Sequence, residues 1–309
     1  MYSKILVPLD GSDVAECVLP YVESISTWKK QTEITFLYVT QHLDVPMADK
    51  KFTERIEKDA KSGAKSYLDD LVKKIKIKGE VKHVVRAGKA ADIIIDYCEE
   101  HKLRLIIMAT HGRSGISRWT RGSVADKVLH NANVPVWLIK AEHAKKKFLK
   151  KGQKIKIMVA LDGSKLAEDS LISVMELAEQ YGKDNVELTL FRVSELFSPP
   201  YIYPPEMPIS IEEYLEYEKK RTAEICQTYL NDMQKHLTKN GITTIAAVEE
   251  GIPADVIINF AKANSIDLIV MSTHGRTGFS HWAFGSIAEK VLKGAPCPVF
   301  LVRSGIKKP

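Results

Sequence analysis

Nowhere does the sequence hold an apolar run of the ~18 residues that a membrane-crossing helix needs. Its opening stretch, MYSKILVPLDGS, runs straight into a strand pattern, which is not the pattern of a secretory leader. Cysteine is scarce, with only Cys17, Cys98, Cys226 and Cys297. None of them forms a C-x-x-C pair, so the usual zinc and redox signatures are excluded and reduced, packed thiols are expected. Charge of one sign does not accumulate either. The net charge of +6 is spread among acids, with basic clusters only at Lys145–Lys151 and Lys307-Lys308. These read as solvated linker and tail rather than a nucleic-acid surface. The Walker pattern G-x-x-x-x-G-K-[ST] is also missing. What is left is a cytoplasmic globular protein with no nucleic-acid partner and no membrane span, and 309 residues suggest about two domains.

What is present is a duplication. Met108–Ser123, MATHGRSGISRWTRGS, returns as Met271–Ser286, MSTHGRTGFSHWAFGS, with 10 of 16 positions identical. Each stretch follows an apolar run and precedes a helical pattern, VADKVL in one copy and IAEKVL in the other. Strand, glycine-rich loop and helix start in that order place backbone N–H groups and a helix dipole where an anion can sit.

The rest of the chain repeats around these loops. Lys4–Leu9 and Lys156–Leu161 read as first strands, ending in Asp10-Gly11-Ser12 and Asp162-Gly163-Ser164. Helical spacing follows over Asp13–Lys29 and Lys165–Tyr181. Second strands are expected at Ile34–Val39 and Val186–Val193, third at Val81–Val85 and Thr243–Val248, fourth at Leu105–Met108 and Leu268–Met271, fifth at Val136–Ile139 and Val299–Val302. Long charged helices are expected at about Thr53–Lys76 and Ile211–Asn240. Before the second of these, Ser194–Ile211 carries five prolines and reads as an irregular excursion. Alternating strands and helices give a parallel sheet with right-handed crossovers. In such a sheet, ligands bind beyond the carboxyl ends of the strands, where strand order reverses. Asp10 and the first glycine loop would then face one crevice, and Asp162 and the second loop another. Domains are expected at 1–142 and 155–309, joined by a linker at 143–154.

These residues resemble the universal stress protein family, in tandem. The family's ATP-binding signature is Gly, two residues, Gly, nine residues, Gly, then Ser or Thr. Here Gly112 is followed after nine residues by Gly122-Ser123, and Gly275 by Gly285-Ser286. The first glycine position holds Ala109 in one copy and Ser272 in the other; a residue needing positive φ there would be strained. The resemblance implies two adenine-nucleotide α-hydrolase-like, Rossmann-like α/β domains, each a five-stranded parallel sheet of order 3-2-1-4-5 sandwiched by helices. It also implies pairing of fifth strands, in a homodimer or between the tandem domains. By the same resemblance, Asp10 and Asp162 contact ribose or Mg²⁺ brought with ATP, beside Pro8 and Ala160. Val39 and Val193 offer backbone to the adenine. Met108, Ala109, Met271 and Ser272 lie near the ribose. Gly112, Gly122, Ser123 and Val124 bind phosphate in the first copy, and Gly275, Gly285, Ser286 and Ile287 in the second.

Other readings stand beside these. Ser123-Val-Ala-Asp126 and Ser286-Ile-Ala-Glu289 are capping-box patterns. Asp10 and Asp162 suit turns before a cap. Arg113 and Arg276 can fork onto phosphate or lie in solvent. His111 and His274 read as packing residues, and Trp119 and Trp282 as anchors of the loops. The first loop carries Arg113, Arg118 and Arg121 where the second has Arg276, His281 and Phe284, so the first is expected to hold a triphosphate more tightly. The functional expectation is an ATP-, ADP- or AMP-binding stress-response regulator with slow or no hydrolysis and an unidentified protein partner. A nucleotidyl transferase or ligase on the same scaffold, walled by Tyr201, Tyr203 and Met207, is the rival reading. A scaffold that no longer binds nucleotide is another.

Overall fold

In the computed structural model, residues 1–27, 32–41, 50–110, 124–144, 148, 153–195, 210–273 and 285–303 are described. Strand β1 (Lys4–Leu9) leads into α1 (Asp13–Glu16) and α2 (Leu19–Thr27), then β2 (Thr32–Thr40), α3 (Lys50–Lys74), β3 (Gly79–Ala87), α4 (Ala90–Glu100), β4 (Leu105–Ala109), α5 (Val124–Asn131) and β5 (Val136–Ile139). The second half repeats the order: β6 (Ile155–Ala160), α6 (Lys165–Tyr181), β7 (Val186–Ser194), α7 (Ile211–Lys239), β8 (Thr243–Glu250), α8 (Pro253–Ala263), β9 (Leu268–Ser272), α9 (Ser286–Gly294) and β10 (Val299–Val302).

The single helix expected over Asp13–Lys29 is a correction: it is two pieces, α1 and α2. Pro20 has no N–H to give to the carbonyl of Glu16, and its ring crowds that carbonyl, so a continuous ladder cannot pass through this point. In the second copy the matching stretch has no proline, and α6 runs unbroken from Lys165 to Tyr181. Pro253 stands in the first turn of α8, where its missing donor costs nothing.

All strands join one ten-stranded sheet in the order β3-β2-β1-β4-β5-β10-β9-β6-β7-β8. Within each half the pairs are parallel, and strand order reverses between β1 and β4, and again between β6 and β9. The halves meet where β10 runs antiparallel to β5, with Val299 opposite Leu138, Phe300 opposite Trp137 and Leu301 opposite Val136. Both expected settings for fifth-strand pairing were open in the sequence; here the pairing is made within the chain. Strands β4, β5, β9 and β10, apolar but for Ser272 at the end of β9, are buried on both faces, which is why they read as continuous apolar runs.

Two apolar layers cover the sheet, and each runs through both halves. One holds Val22 of α2, Leu68 of α3, Val174 of α6 and Leu230 of α7. The other holds Ile94 of α4, Val128 of α5, Ile257 of α8 and Val291 of α9. Tyr21, Trp137 and Phe148 stack together at the seam, so the segment joining the halves inserts a ring into the core. Gln180 of α6 donates from Nε2 to the carbonyl of Ile25 at 3.1 Å and to Thr32 Oγ1 at 3.0 Å, tying the second half to the first. No helix among the described residues is long and apolar enough to cross a membrane.

Candidate functional site

The turns after the first strands are built alike. Asp10 Oδ1 accepts from the Ser12 amide at 3.0 Å and from Ser12 Oγ at 2.6 Å, while Ser12 Oγ caps α1 by accepting from the Ala15 amide at 3.1 Å. Asp162 Oδ1 accepts from the Ser164 amide at 2.8 Å, and Ser164 Oγ caps α6 by accepting from the Ala167 amide at 3.1 Å. The turn-and-cap reading of both aspartates is therefore correct, and it holds each carboxylate rigidly at the carboxyl end of a first strand. A carboxylate fixed by its own turn needs little reorganisation to receive a ligand.

Met108, Ala109, Met271 and Ser272 end β4 and β9 and are buried. Neither Ala109 nor Ser272 has a positive φ, so a side chain at the first glycine position of the motif carries no backbone strain. Beyond them, the Thr110 amide donates to the Ile139 carbonyl at 3.0 Å and the Thr273 amide to the Val302 carbonyl at 2.9 Å, which pins both loop entrances to the fifth strands. Gly112, Arg113, Gly122, Ser123, Gly275 and Arg276 lie outside the described residues, as do His111, His274, Trp119, Trp282 and most of the proline excursion.

The exit of the second loop is described. The Gly285 amide donates to the Thr273 carbonyl at 2.9 Å, which sets the start of α9 against the end of β9. Gly285 itself is the N-cap, with φ −60° and ψ 134°, and brings no side chain with which to cap the helix. This corrects the capping-box reading of Ser286: Ser286 is already the first helical residue, and the Glu289 amide donates to the Gly285 carbonyl at 2.9 Å. A φ of −60° is open to any residue. What glycine supplies at 285 is thus the missing side chain rather than a turn geometry. Val124 and Ile287, in the first turns of α5 and α9, are exposed.

The second strands form the side wall. The last residue of β6 paired to β7 is Ala160, opposite Phe191, so Arg192, Val193 and Ser194 extend past it. In the first half Leu9 is opposite Tyr38, and Val39 and Thr40 extend beyond. Pro8 and Ala160 lie in the first strands, half-buried. The residues expected in each crevice thus come from neighbouring strand ends, with the loop residues outside the description.

One pair in each half was missed. Tyr67 of α3 donates from its hydroxyl to Glu16 Oε1 at 2.9 Å, and Tyr229 of α7 donates to Glu168 Oε1 at 3.1 Å. Burial, and then the glutamate, hold both phenols well above the usual tyrosine range. Asp10 adds to this at Tyr67 and Asp162 at Tyr229, so each pair lies within electrostatic reach of its turn aspartate. A signal was available: Ala-Glu stands six residues past each Asp in the two copies, and Tyr-Leu recurs at Tyr67 and Tyr229. Among the described residues no group of three or more His, Cys, Asp or Glu side chains could hold a metal ion.

A family model described as "Universal stress protein family" matches residues 1–140 and again 155–303. Two universal stress proteins of Methanocaldococcus jannaschii align with one half-chain length. One is 29% identical over 153 residues, covering 50% of this chain and 84% of the relative. The other is 28% identical over 160 residues, covering 47% of this chain and 98% of the relative. The crystal structure of a universal stress protein from Archaeoglobus fulgidus matches at a TM-score of 0.65 and 23% identity, covering 98% of this chain and 96% of its own. At that identity the likeness is one of fold.

Proposed function

The chain belongs to the universal stress protein family, and from that premise we propose that it binds an adenine nucleotide in each of two crevices, one per domain (1–142 and 155–309). Asp10 and Asp162 accept hydrogen bonds from ribose hydroxyls or help hold Mg²⁺ brought by the nucleotide. Val39 and Val193 face the base with their backbone, beside Pro8 and Ala160. Met108, Ala109, Met271 and Ser272 floor the ribose. Gly112, Arg113, Gly122, Ser123 and Val124 receive the phosphates in the first domain, and Gly275, Arg276, Gly285, Ser286 and Ile287 in the second.

The observation that carries this reading is the start of α9. Its cap residue is a glycine at an ordinary φ that brings no capping side chain, and it opens directly beyond the end of β9. The orphan N–H groups of a helix start, placed near the point where strand order reverses, favour an anion. Two sequence-distant devices, the turn aspartate and the loop, then act on the two ends of one nucleotide.

ATP or AMP would order the glycine loops and so bias association with a regulatory protein partner in the cytoplasm. Hydrolysis is slow or absent in this reading, since no Walker lysine stands by the phosphates. Calorimetric titration with ATP, ADP, AMP and GTP, with and without Mg²⁺, tests the proposal. Absence of adenine-nucleotide binding would overturn it, and a turnover above about 1 s⁻¹, ordinary for enzymes, would overturn its non-enzymatic part.

A further inference from the structure

The side walls of the two crevices differ most at one position. The strand ends read Tyr38-Val39-Thr40 in the first half and Arg192-Val193-Ser194 in the second. Behind each stands the tyrosine already described. The ring of Tyr38 is 5.9 Å from that of Tyr67, whereas Cζ of Arg192 is 4.9 Å from the centroid of Tyr229. An aromatic pair in one domain is a cation on an aromatic face in the other.

The guanidinium lies flat on the turn that carries the aspartate. Its terminal nitrogens are 2.8 Å from the position a Cβ on Gly163 would take. Gly163 also has a φ of +83°, a backbone conformation that favours glycine. Asp162, one residue earlier, has its Oδ1 on the Ser164 amide, and Glu168 accepts from the Tyr229 hydroxyl. Among the described residues the Arg192 guanidinium makes no ion pair and no hydrogen bond, and its Nε is buried without a partner. A guanidinium is always charged and carries five donors in a planar fork shaped for phosphate or carboxylate. Of its nitrogens only Nε is buried without a partner, and an anion from outside would give the fork a charged acceptor.

Resting on the reading of both crevices as adenine-nucleotide sites, we propose that Arg192 is a specificity-determining residue. It fits the second crevice to a nucleotide bearing a phosphate on its ribose, at the 2′ or 3′ oxygen. The first crevice, with Tyr38, takes nucleotides whose ribose hydroxyls are free. A lone carboxylate beside the ribose accepts from hydroxyls and repels a phosphate; an arginine next to it reverses that preference. In the first domain Asp10 has Tyr38 at the matching strand position, so repulsion is not offset there.

The test is calorimetric titration of the full chain with ATP, adenosine 3′,5′-bisphosphate and adenosine 2′,5′-bisphosphate. The wild type is expected to take one tight equivalent of one bisphosphate per chain, and the preferred isomer identifies the ribose oxygen. Arg192→Tyr, which installs the residue of the first domain, should weaken that equivalent by about ten-fold or more, the cost of a lost charged hydrogen bond, with ATP binding retained. Arg192→Lys keeps the stem and the charge but loses the fork, and should fall between the two; it serves if the tyrosine variant does not fold. Bisphosphate affinity unchanged in either variant, with ATP binding intact, would overturn this inference alone. A wild type that binds neither ATP nor the bisphosphates would overturn the nucleotide reading beneath it as well.

Discussion

Phe300 lies directly opposite Trp137 across the antiparallel β5–β10 pair, with ring centroids 6.2 Å apart, and neither ring is exposed to solvent. This contact joins two five-stranded units into one sheet and makes the seam part of the core. Trp137→Ala is therefore expected to cost roughly 3–5 kcal/mol, as for other large-to-small core changes. Differential calorimetry should show one cooperative transition in the wild type and a lower, broadened or split transition in the variant. An unchanged melting temperature would mean that the seam is not the stabilising contact described.

Gln180 is a second, polar tie across the same seam. Its amide serves the Ile25 carbonyl and the Thr32 hydroxyl in a buried setting. Gln180→Ala would remove both bonds, at an expected cost of about 1–3 kcal/mol. Urea melts of this variant should show a lower midpoint with the slope retained.

Placing a carboxylate at the start of α9 should abolish phosphate binding there. Gly285→Glu is expected to remove one equivalent of ATP per chain without unfolding the protein, because φ at 285 suits any residue. Gly122→Glu should remove the other. The site left in Gly285→Glu keeps Arg113, Arg118 and Arg121, and should hold ATP more tightly than the site left in Gly122→Glu. Equal residual affinities would count against the charge argument.

Alkaline pH should weaken the fold. Burial pushes the thiols of Cys17 and Cys98 up to about 12 from 9.0. The folded state then binds more protons than the unfolded one between these values, so this stability is complete below about pH 9 and is lost as pH rises toward about 12. Buried Tyr2, Tyr21 and Tyr181, all held above the usual phenol range, act in the same direction. Melting temperatures across this range should decline, and Cys98→Ala should lessen the decline. All four thiols are buried, so a thiol reagent at neutral pH should react only after denaturant is added.

Much of the architecture was legible because it is written in local patterns. Apolar runs marked the four buried strands β4, β5, β9 and β10, helical spacing marked α6 and α7, and the repeated Asp-Gly-Ser turn marked the starts of α1 and α6. Pro20 carried the reason for the break between α1 and α2, yet the helical spacing on either side outweighed it in a reading by periodicity. The site was legible only in part. Asp10 and Asp162 stood out because each sits in a short, repeated motif. Tyr67 and Glu16 did not, since 51 residues separate them and nothing in the sequence says that a tyrosine of α3 reaches the end of α1.

The sequence by itself determined the duplication, the alternation of strands and helices, and the glycine spacing, since each depends only on residues near one another in the chain. Only the tertiary structure decided that β5 pairs with β10 inside one molecule, that Gly285 rather than Ser286 caps α9, and that Arg192 lies on the turn of Gly163. Those outcomes depend on which surfaces meet when the sheet closes over its two apolar layers, and such a meeting leaves no mark in local sequence.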